Sequence, residues 1–369
     1  MLVLKTPKDA LLKPLQAVAG VVERKHTLPI LSNVLVEVLG GRATFVATDL
    51  ELQISTSAEE EGAMDASFTV SARKMLDICR SLPDSEPISL ELSGEQQIKI
   101  LSGKSRFNLQ TLPAREFPRL QIPEGEGLSF SLPQGLVKRL LASVQYAMAV
   151  QDIRYYLNGM LLSVQGSRLT VAATDGHRLA VDATELPEPA PEGVEVILLR
   201  KTVMELGKLL GDDEEALQIQ INQSQVVFRR PSFELRSKVV DGKFPDWQRV
   251  IPVGHDKVFV IGRQRLSQSL TRAAILTNDK YRGARLALTA GSLRIACSNN
   301  EQEEAQEELD IDYDGEPLDI GFNVQYLQDA FNNLPSDSVQ CSFGDASSSM
   351  LITIPGDENF RYVVMPMRI

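Results

Sequence analysis

The chain has 369 residues, 43% apolar and 24% charged, a globular composition long enough for two or three domains with sizeable cores. Lys and Arg number 38 against 49 Asp and Glu, a formal net charge of −11, which by itself puts nucleic-acid binding last, because phosphate recognition runs on cations. Three scattered cysteines, Cys79, Cys297 and Cys341, make neither a disulfide framework nor a zinc site, and the absence of a leader or of 18 uninterrupted apolar residues predicts a cytoplasmic protein without a membrane span.

Apolar residues at helical spacing, Leu11, Leu12, Leu15, Val18 and Ala19, predict a first helix over 7–25, with Pro14 imposing a late start or a kink. Strand runs 34–39 and 43–47 lead into the turn Ala47-Thr48-Asp49-Leu50-Glu51. A second helix over 71–82 is followed by the alternating Ile88, Leu90 and Leu92, and Ser93-Gly94-Glu95 turns the chain into a strand over 98–100. The Pro- and Gly-rich stretch 122–127 ends this unit, and the order restarts. A helix over 132–150, strands 160–164 and 169–173, the turn Ala173-Thr174-Asp175-Gly176-His177, a helix over 199–210 and the alternating Leu217, Ile219 and Ile221 make a second copy. After Ile251-Pro252-Val253-Gly254 come a helix over 263–276, strands 284–288 and 293–297, the turn Ser298-Asn299-Asn300-Glu301-Gln302, a helix over 323–334 and the alternating Val339, Cys341 and Phe343. Thr48, Thr174 and Asn299 mark the turns at intervals of 126 and 125 residues, and an acid (Asp77, Glu205, Asp329) holds the same place in the second helix of every unit. These repeats predict an α+β protein of three tandem domains, 1–125, 126–251 and 252–369, each readable as a duplication of helix-then-strands.

Catalytic motifs are sparse. Ser102-Gly103-Lys104-Ser105 ends like a phosphate-binding loop, but Ile98 stands where the upstream glycine is required, and neither G-x-G-x-x-G after a strand nor G-x-S-x-G occurs. Asp175 and His177 suggest an acid–base pair, yet neither a nucleophile nor a metal-ligand partner stands at a diagnostic spacing, and only His26, His177 and His255 exist. A recognition turn is the better reading, with no catalytic residue, cofactor or metal expected. Two readings stand open at this point: an enzyme using His177 with Asp175, and a tandem-repeat scaffold for protein interactions.

The charges are unevenly distributed among the elements. The six predicted helices hold 15 basic and five acidic residues, net +10, which leaves −21 for the remainder. Glu shares the helix propensity of Lys and Arg, so propensity does not explain the asymmetry. Lys13, Arg24, Lys25, Arg73, Lys74, Arg80, Lys138, Arg139, Arg200, Lys201, Lys208, Arg263, Arg265 and Arg272 are the candidates for diffuse contact with duplex backbone.

Long stretches of the chain resemble the bacterial β sliding clamps, the processivity subunits of replicative DNA polymerase. They include Leu28-Pro29-Ile30-Leu31-Ser32-Asn33, Gln151-Asp152-Ile153-Arg154-Tyr155-Tyr156-Leu157-Asn158-Gly159, Ala173-Thr174-Asp175-Gly176-His177-Arg178-Leu179-Ala180, Asp241-Gly242-Lys243-Phe244-Pro245-Asp246 and Tyr362-Val363-Val364-Met365-Pro366-Met367-Arg368-Ile369. The resemblance implies a non-catalytic head-to-tail homodimer closed into a ring around double-stranded DNA, helices inside and antiparallel sheets outside. It places DNA contacts at Arg24 or Lys25, Gln151, Tyr155, Tyr156 and Lys201, beside Arg73, Lys74, Lys138 and Arg139 from the charge pattern. It also implies a cleft that takes a short apolar peptide from replicative and translesion polymerases, the clamp loader, and mismatch-repair and ligase-type proteins. Carried over, the cleft is Leu157, Thr174, Gly176, His177, Arg178, Leu179, Pro245, Arg249, Val250, Val363, Val364, Met365, Pro366, Met367 and Arg368, with Trp247 at its rim where the family commonly has another aromatic. The ring contacts it implies are Phe107 and Leu109 against Ile275 and Leu276, with Lys74, Lys104 and Arg106 near Glu301, Glu304 and Glu307.

Overall fold

The computed structural model describes residues 1–23, 27–59, 64–94, 96–121, 127–278 and 282–368. The first domain runs β1 (Leu2–Thr6), α1 (Lys8–Ala19), β2 (Asn33–Leu39), β3 (Arg42–Thr48), β4 (Leu52–Glu59), β5 (Ala66–Ser71), α2 (Ala72–Ser81), β6 (Ile88–Leu92), β7 (Gln97–Ser102) and β8 (Ser105–Leu112). The second repeats it: β9 (Leu128–Pro133), α3 (Gln134–Val144), β10 (Gly159–Gln165), β11 (Arg168–Thr174), β12 (Arg178–Glu185), β13 (Val194–Leu199), α4 (Arg200–Leu209), β14 (Ala216–Ile221), β15 (Gln225–Arg230) and β16 (Phe233–Lys238). The third is β17 (Lys257–Gly262), α5 (Arg263–Ala273), β18 (Gly283–Thr289), β19 (Ser292–Ser298), β20 (Glu304–Asp310), β21 (Leu318–Asn323), α6 (Val324–Asn333), β22 (Ser338–Phe343), β23 (Met350–Ile354) and β24 (Asp357–Val364).

Each half-domain is thus a strand, a helix and three strands, so the sequence pattern omitted the strand that opens every half. The opening strands explain the duplication. β1 pairs with β6 of the second half, and β5 pairs with β2 of the first; β9–β14 with β13–β10, and β17–β22 with β21–β18, repeat the exchange. Three helices stop short of their predicted ends, among them α5, which gives way after Ala273 to a 3-10 turn over Ala274–Leu276. α1 stops at Ala19 and α3 at Val144, the latter followed by a single 3-10 turn over Gln145–Ala147. Pro14 does not delay α1, which begins at Lys8 and runs through it.

Two compact units form, Met1–Leu136 with Lys201–Val239, and Val137–Arg200 with Val240–Ile369. In the first, α1 packs on α2, and a 12-stranded sheet runs β1-β6-β7-β8-β5-β2-β3-β4-β16-β15-β14-β9. In the second, α5 packs on α6, beside an eight-stranded sheet, β13-β10-β11-β12-β24-β23-β22-β17, and a four-stranded one, β20-β19-β18-β21. Buried helix faces match the predicted spacing: Leu11, Leu15 and Val18 on α1, and Val324, Leu327, Ala330 and Phe331 on α6. Each large apolar side chain so buried contributes about 1.5–3 kcal/mol before entropic costs. Among the described residues no helix is long and apolar enough to cross a membrane.

Candidate functional site

The repeated turn is built the same way in the first two domains. The Thr48 hydroxyl accepts from the Leu50 N–H (3.1 Å) and donates to the Leu52 carbonyl (2.9 Å), while Asp49 Oδ1 accepts from the N–H groups of Glu51 and Leu52. Thr174 does likewise with Gly176 (3.1 Å) and Arg178 (2.6 Å), and Asp175 Oδ1 with His177 and Arg178. Such side-chain caps hold a tight turn whose central residue has positive φ, 76° at Leu50 and 90° at Gly176. In the second domain a Cβ there would also stand 3.0 Å from both terminal nitrogens of Arg154, so that the guanidinium would have to give way. Arg154 is fixed by Asp152 (Nη2 to Oδ2, 2.9 Å), whose carboxyl is held down to about 2 by that guanidinium.

Behind the turn lies Arg178, its side chain 9% exposed. It donates to Asp175 Oδ2 (3.1 Å), Asp329 Oδ2 (2.5 Å) and the Tyr146 carbonyl (2.7 Å), and its guanidinium carbon stands 4.5 Å from the Tyr326 ring centre. Burial opposes the charge, but the Tyr362 hydroxyl, Asp329 and Asp175 outweigh it and secure the cation. This network ties β12 to α6, and β24 completes the wall: Leu179 pairs with Val363, and the Met365 N–H donates to the His177 carbonyl. Over the sheet, Phe244 is buried against Leu161, Ala172, Ile197 and Val363, with Tyr156 and Trp247 packed alongside.

The result is an apolar cleft of about 190 Å³ lined by Arg154, Tyr156, Leu157, Thr174, Gly176, His177, Arg178, Leu179, Pro245, Trp247, Val250, Val363 and Met365. Ten of the fifteen cleft residues expected from sequence are there. Arg249 instead projects, 86% exposed and paired with Asp246; Val364 is buried within β24; Pro366, Met367 and Arg368 run past the cleft, where the Met367 N–H bonds to Gly321. Arg154 and Tyr156 line the cleft as well; the resemblance had placed Tyr156 at the DNA and given Arg154 no role. His177 and Asp175 are not an acid–base pair: the imidazole stacks on Tyr326 at 6.4 Å, and the carboxylate is taken up by the turn and by Arg178.

The expected DNA residues divide in three. Arg24 and Lys25 lie outside the described residues. Arg73 and Lys74 are exposed on α2, Gln151 is exposed with φ of 54°, and Tyr155 is 58% exposed, while Tyr156 turns to the cleft. Lys138 is half-buried on α3. Arg139 and Lys201 are engaged internally, Arg139 with buried Asp182 (2.9 Å) and Lys201 with Asp49 (2.5 Å), Glu23 (3.5 Å) and the Val21 carbonyl. Part of the helical charge therefore neutralises acids of the same fold. Of the expected ring contacts, Lys104 and Arg106 are exposed and Phe107 and Leu109 half-buried on or beside β8; Ile275 is 75% exposed and Leu276 half-buried; Glu301 and Glu304 are exposed, and Glu307 is held by Arg272.

Three like domains, an apolar cleft and projecting cations define a tandem-repeat binding protein. Family models for the DNA polymerase III beta subunit match the N-terminal domain at residues 2–121, the central domain at 131–246 and the C-terminal domain at 248–368. The beta sliding clamps of Pseudomonas putida and Escherichia coli are 46% and 43% identical, each over 98% of both chains. A crystal structure of the Pseudomonas aeruginosa sliding clamp superposes with a TM-score of 0.93 at 44% identity over the whole of both chains, and one bound to griselimycin with 0.94 at 45%. The chain belongs to the β sliding clamps, the non-catalytic processivity subunits of DNA polymerase III.

Proposed function

We propose that two copies of this chain close head to tail around duplex DNA, with three domains per copy at 1–125, 126–251 and 252–369, in the cytoplasm. One observation carries this reading. Within the first unit β4 joins its outer edge to β16, and within the second β12 joins β24, in the same antiparallel sense. By that rule the next junction links β20 to the strand equivalent to β16 and β24, which is β8. Among the described residues β20 has only β19 beside it, and β8 has β7 along its length but β5 only at Thr111 and Leu112. The bare edge of β20 and the mostly uncovered edge of β8 give one chain two complementary faces, as head-to-tail closure requires. Charge agrees: β20 carries Glu304, Glu307 and Glu308, whereas Lys104 and Arg106 flank the start of β8.

Inside such a ring, exposed Arg73, Lys74, Gln151 and Tyr155 contact phosphates weakly, so the duplex is kept by topology and slides. The cleft then accepts the apolar peptide of polymerases, the clamp loader, and mismatch-repair and ligase-type proteins. Its aliphatic and Met walls adapt to such a peptide, while His177 and the Arg154 guanidinium orient its polar groups. The test is retention on DNA: clamp loaded on a nicked circle stays bound and is released when the circle is cut, and equal retention on both forms would sink the topological mechanism.

A further inference from the structure

Next to the apolar cleft is a second, polar cavity of about 360 Å³, and Pro245 and Trp247 are walls of both. Its floor is the face of β13, β10 and β11 that carries Glu195, Ser163, Gln165, Arg168 and Thr170, and its cover is 243–248. The first domain shows what normally occupies this place. β2, β3 and β5 match β10, β11 and β13 strand for strand, and Phe117-Pro118 covers them as Phe244-Pro245 does, with Phe117 on Leu35 and Val46 where Phe244 meets Leu161 and Ala172. In that copy Arg119 reaches down and pairs with Glu37 on the floor. The matching positions in the second copy are Asp246 and Ser163. The cation is gone, the acid has moved to the neighbouring strand as Glu195, where the first copy has Ser67, and the space stands open.

We infer that this cavity takes an arginine or lysine side chain flanking the apolar motif of the peptide seated in the adjoining cleft. The inference rests on the peptide reading of that cleft. The cation lies where Arg119 lies in the first domain, between Glu195 and Asp246, with Ser163, Thr170 and Gln248 as further acceptors. Glu195 has no ion-pair partner among the described residues, and Asp246 is held only by exposed Arg249. The two cations on the walls leave room for this assignment: Arg168 already bonds Asn359 and approaches Glu185 at 3.5 Å, and Lys243 is exposed. Trp247, standing between the two chambers, is then the ridge over which the peptide crosses from its apolar to its charged part, and its ring face offers the passing cation a cation–π contact.

The full-length protein and a fluorescein-labelled peptide with a Leu-Leu-Phe core, extended at either end by Arg, Ala or Glu at successive positions, provide the test by anisotropy. At one flanking position Arg should bind about fivefold more tightly than Ala, as expected of a partly desolvated charge pair, and Glu no better than Ala. Glu195→Gln should bring Arg and Ala within twofold while leaving the core peptide's affinity unchanged. The double variant Ser163→Glu, Asp246→Arg, which rebuilds the first domain's pair, should do the same. No gain at any position, a gain that survives both variants, or tighter binding of Glu through Lys243 overturns the proposal. Failure of the core peptide itself to bind would overturn the cleft reading, and this inference with it.

Discussion

Replacing Arg178 with alanine tests whether the buried network behind the turn holds the cleft together. The side chain donates to two carboxylates and one carbonyl, and hydrogen bonds to charged groups contribute about 1.5–3 kcal/mol each net. Their sum is not the expected loss, because Asp175 and Asp329, with side chains 16% and 25% exposed, recover water when the cation leaves. Breaking a fully buried ion pair costs about 3–5 kcal/mol, so the lower end, about 3 kcal/mol, applies here. Hydrogen exchange reads this locally, without assuming that a three-domain protein unfolds in one step. Amides of β12 and β24 should exchange roughly 100-fold faster, since about 1.4 kcal/mol corresponds to a factor of ten, while those of β3 and β4 in the other unit stay unchanged. Lysine should rescue only partly, because one ammonium cannot reproduce the planar fork that serves three acceptors. Unchanged exchange in β12 and β24, or an equal change in β3 and β4, would refute the assignment.

Gly176→Ala should cost about 1–2 kcal/mol for placing a Cβ residue at positive φ and should weaken peptide binding by displacing Arg154. Leu50→Gly, at the matching turn of the first domain, should be close to neutral, since relief of φ offsets added chain entropy and lost contact; melting and anisotropy check both. All three thiols are buried, and burial raises Cys79 and Cys341 to about 12 and Cys297 to about 11. Ellman's reagent at pH 8 should therefore label none in the native protein and three after guanidinium; rapid native labelling contradicts this. Asp152, hydrogen-bonded by Arg154, has a folded pKa of about 2 against about 3.9 in model peptides. Its contribution to the order of the 151–158 loop is therefore present above about pH 4 and lost as pH falls toward 2. Carboxyl NMR should show the low midpoint, and Arg154→Ala should raise it only part of the way, because the backbone N–H of residue 154 still donates to Asp152.

What the chain determined by itself is local. Helix faces follow from apolar spacing, the turns from Thr-Asp in the first two domains and Asn-Asn in the third, and the three domains from intervals of 126 and 125 residues between them. The charge asymmetry of the helices and the Asp175–Arg178 turn were legible in the same way. Opening strands such as β1 were not, because a strand of five residues wedged against a helix has too few alternations to register, and its partner residues on β6 lie 82 to 89 positions away. Only tertiary structure decided that Arg139 and Lys201 face acids of their own fold and that β12 finds β24. It decided too that Arg154 and Tyr156 serve the cleft, and that Asp246 and Ser163 leave open a space which Arg119 and Glu37 close in the first domain. Each of these depends on side chains brought together by strand pairing across tens to hundreds of residues, which no local pattern encodes. The net charge of −11 is the plainest case: composition determined its size, and the fold determined which of its charges remain exposed to meet a partner.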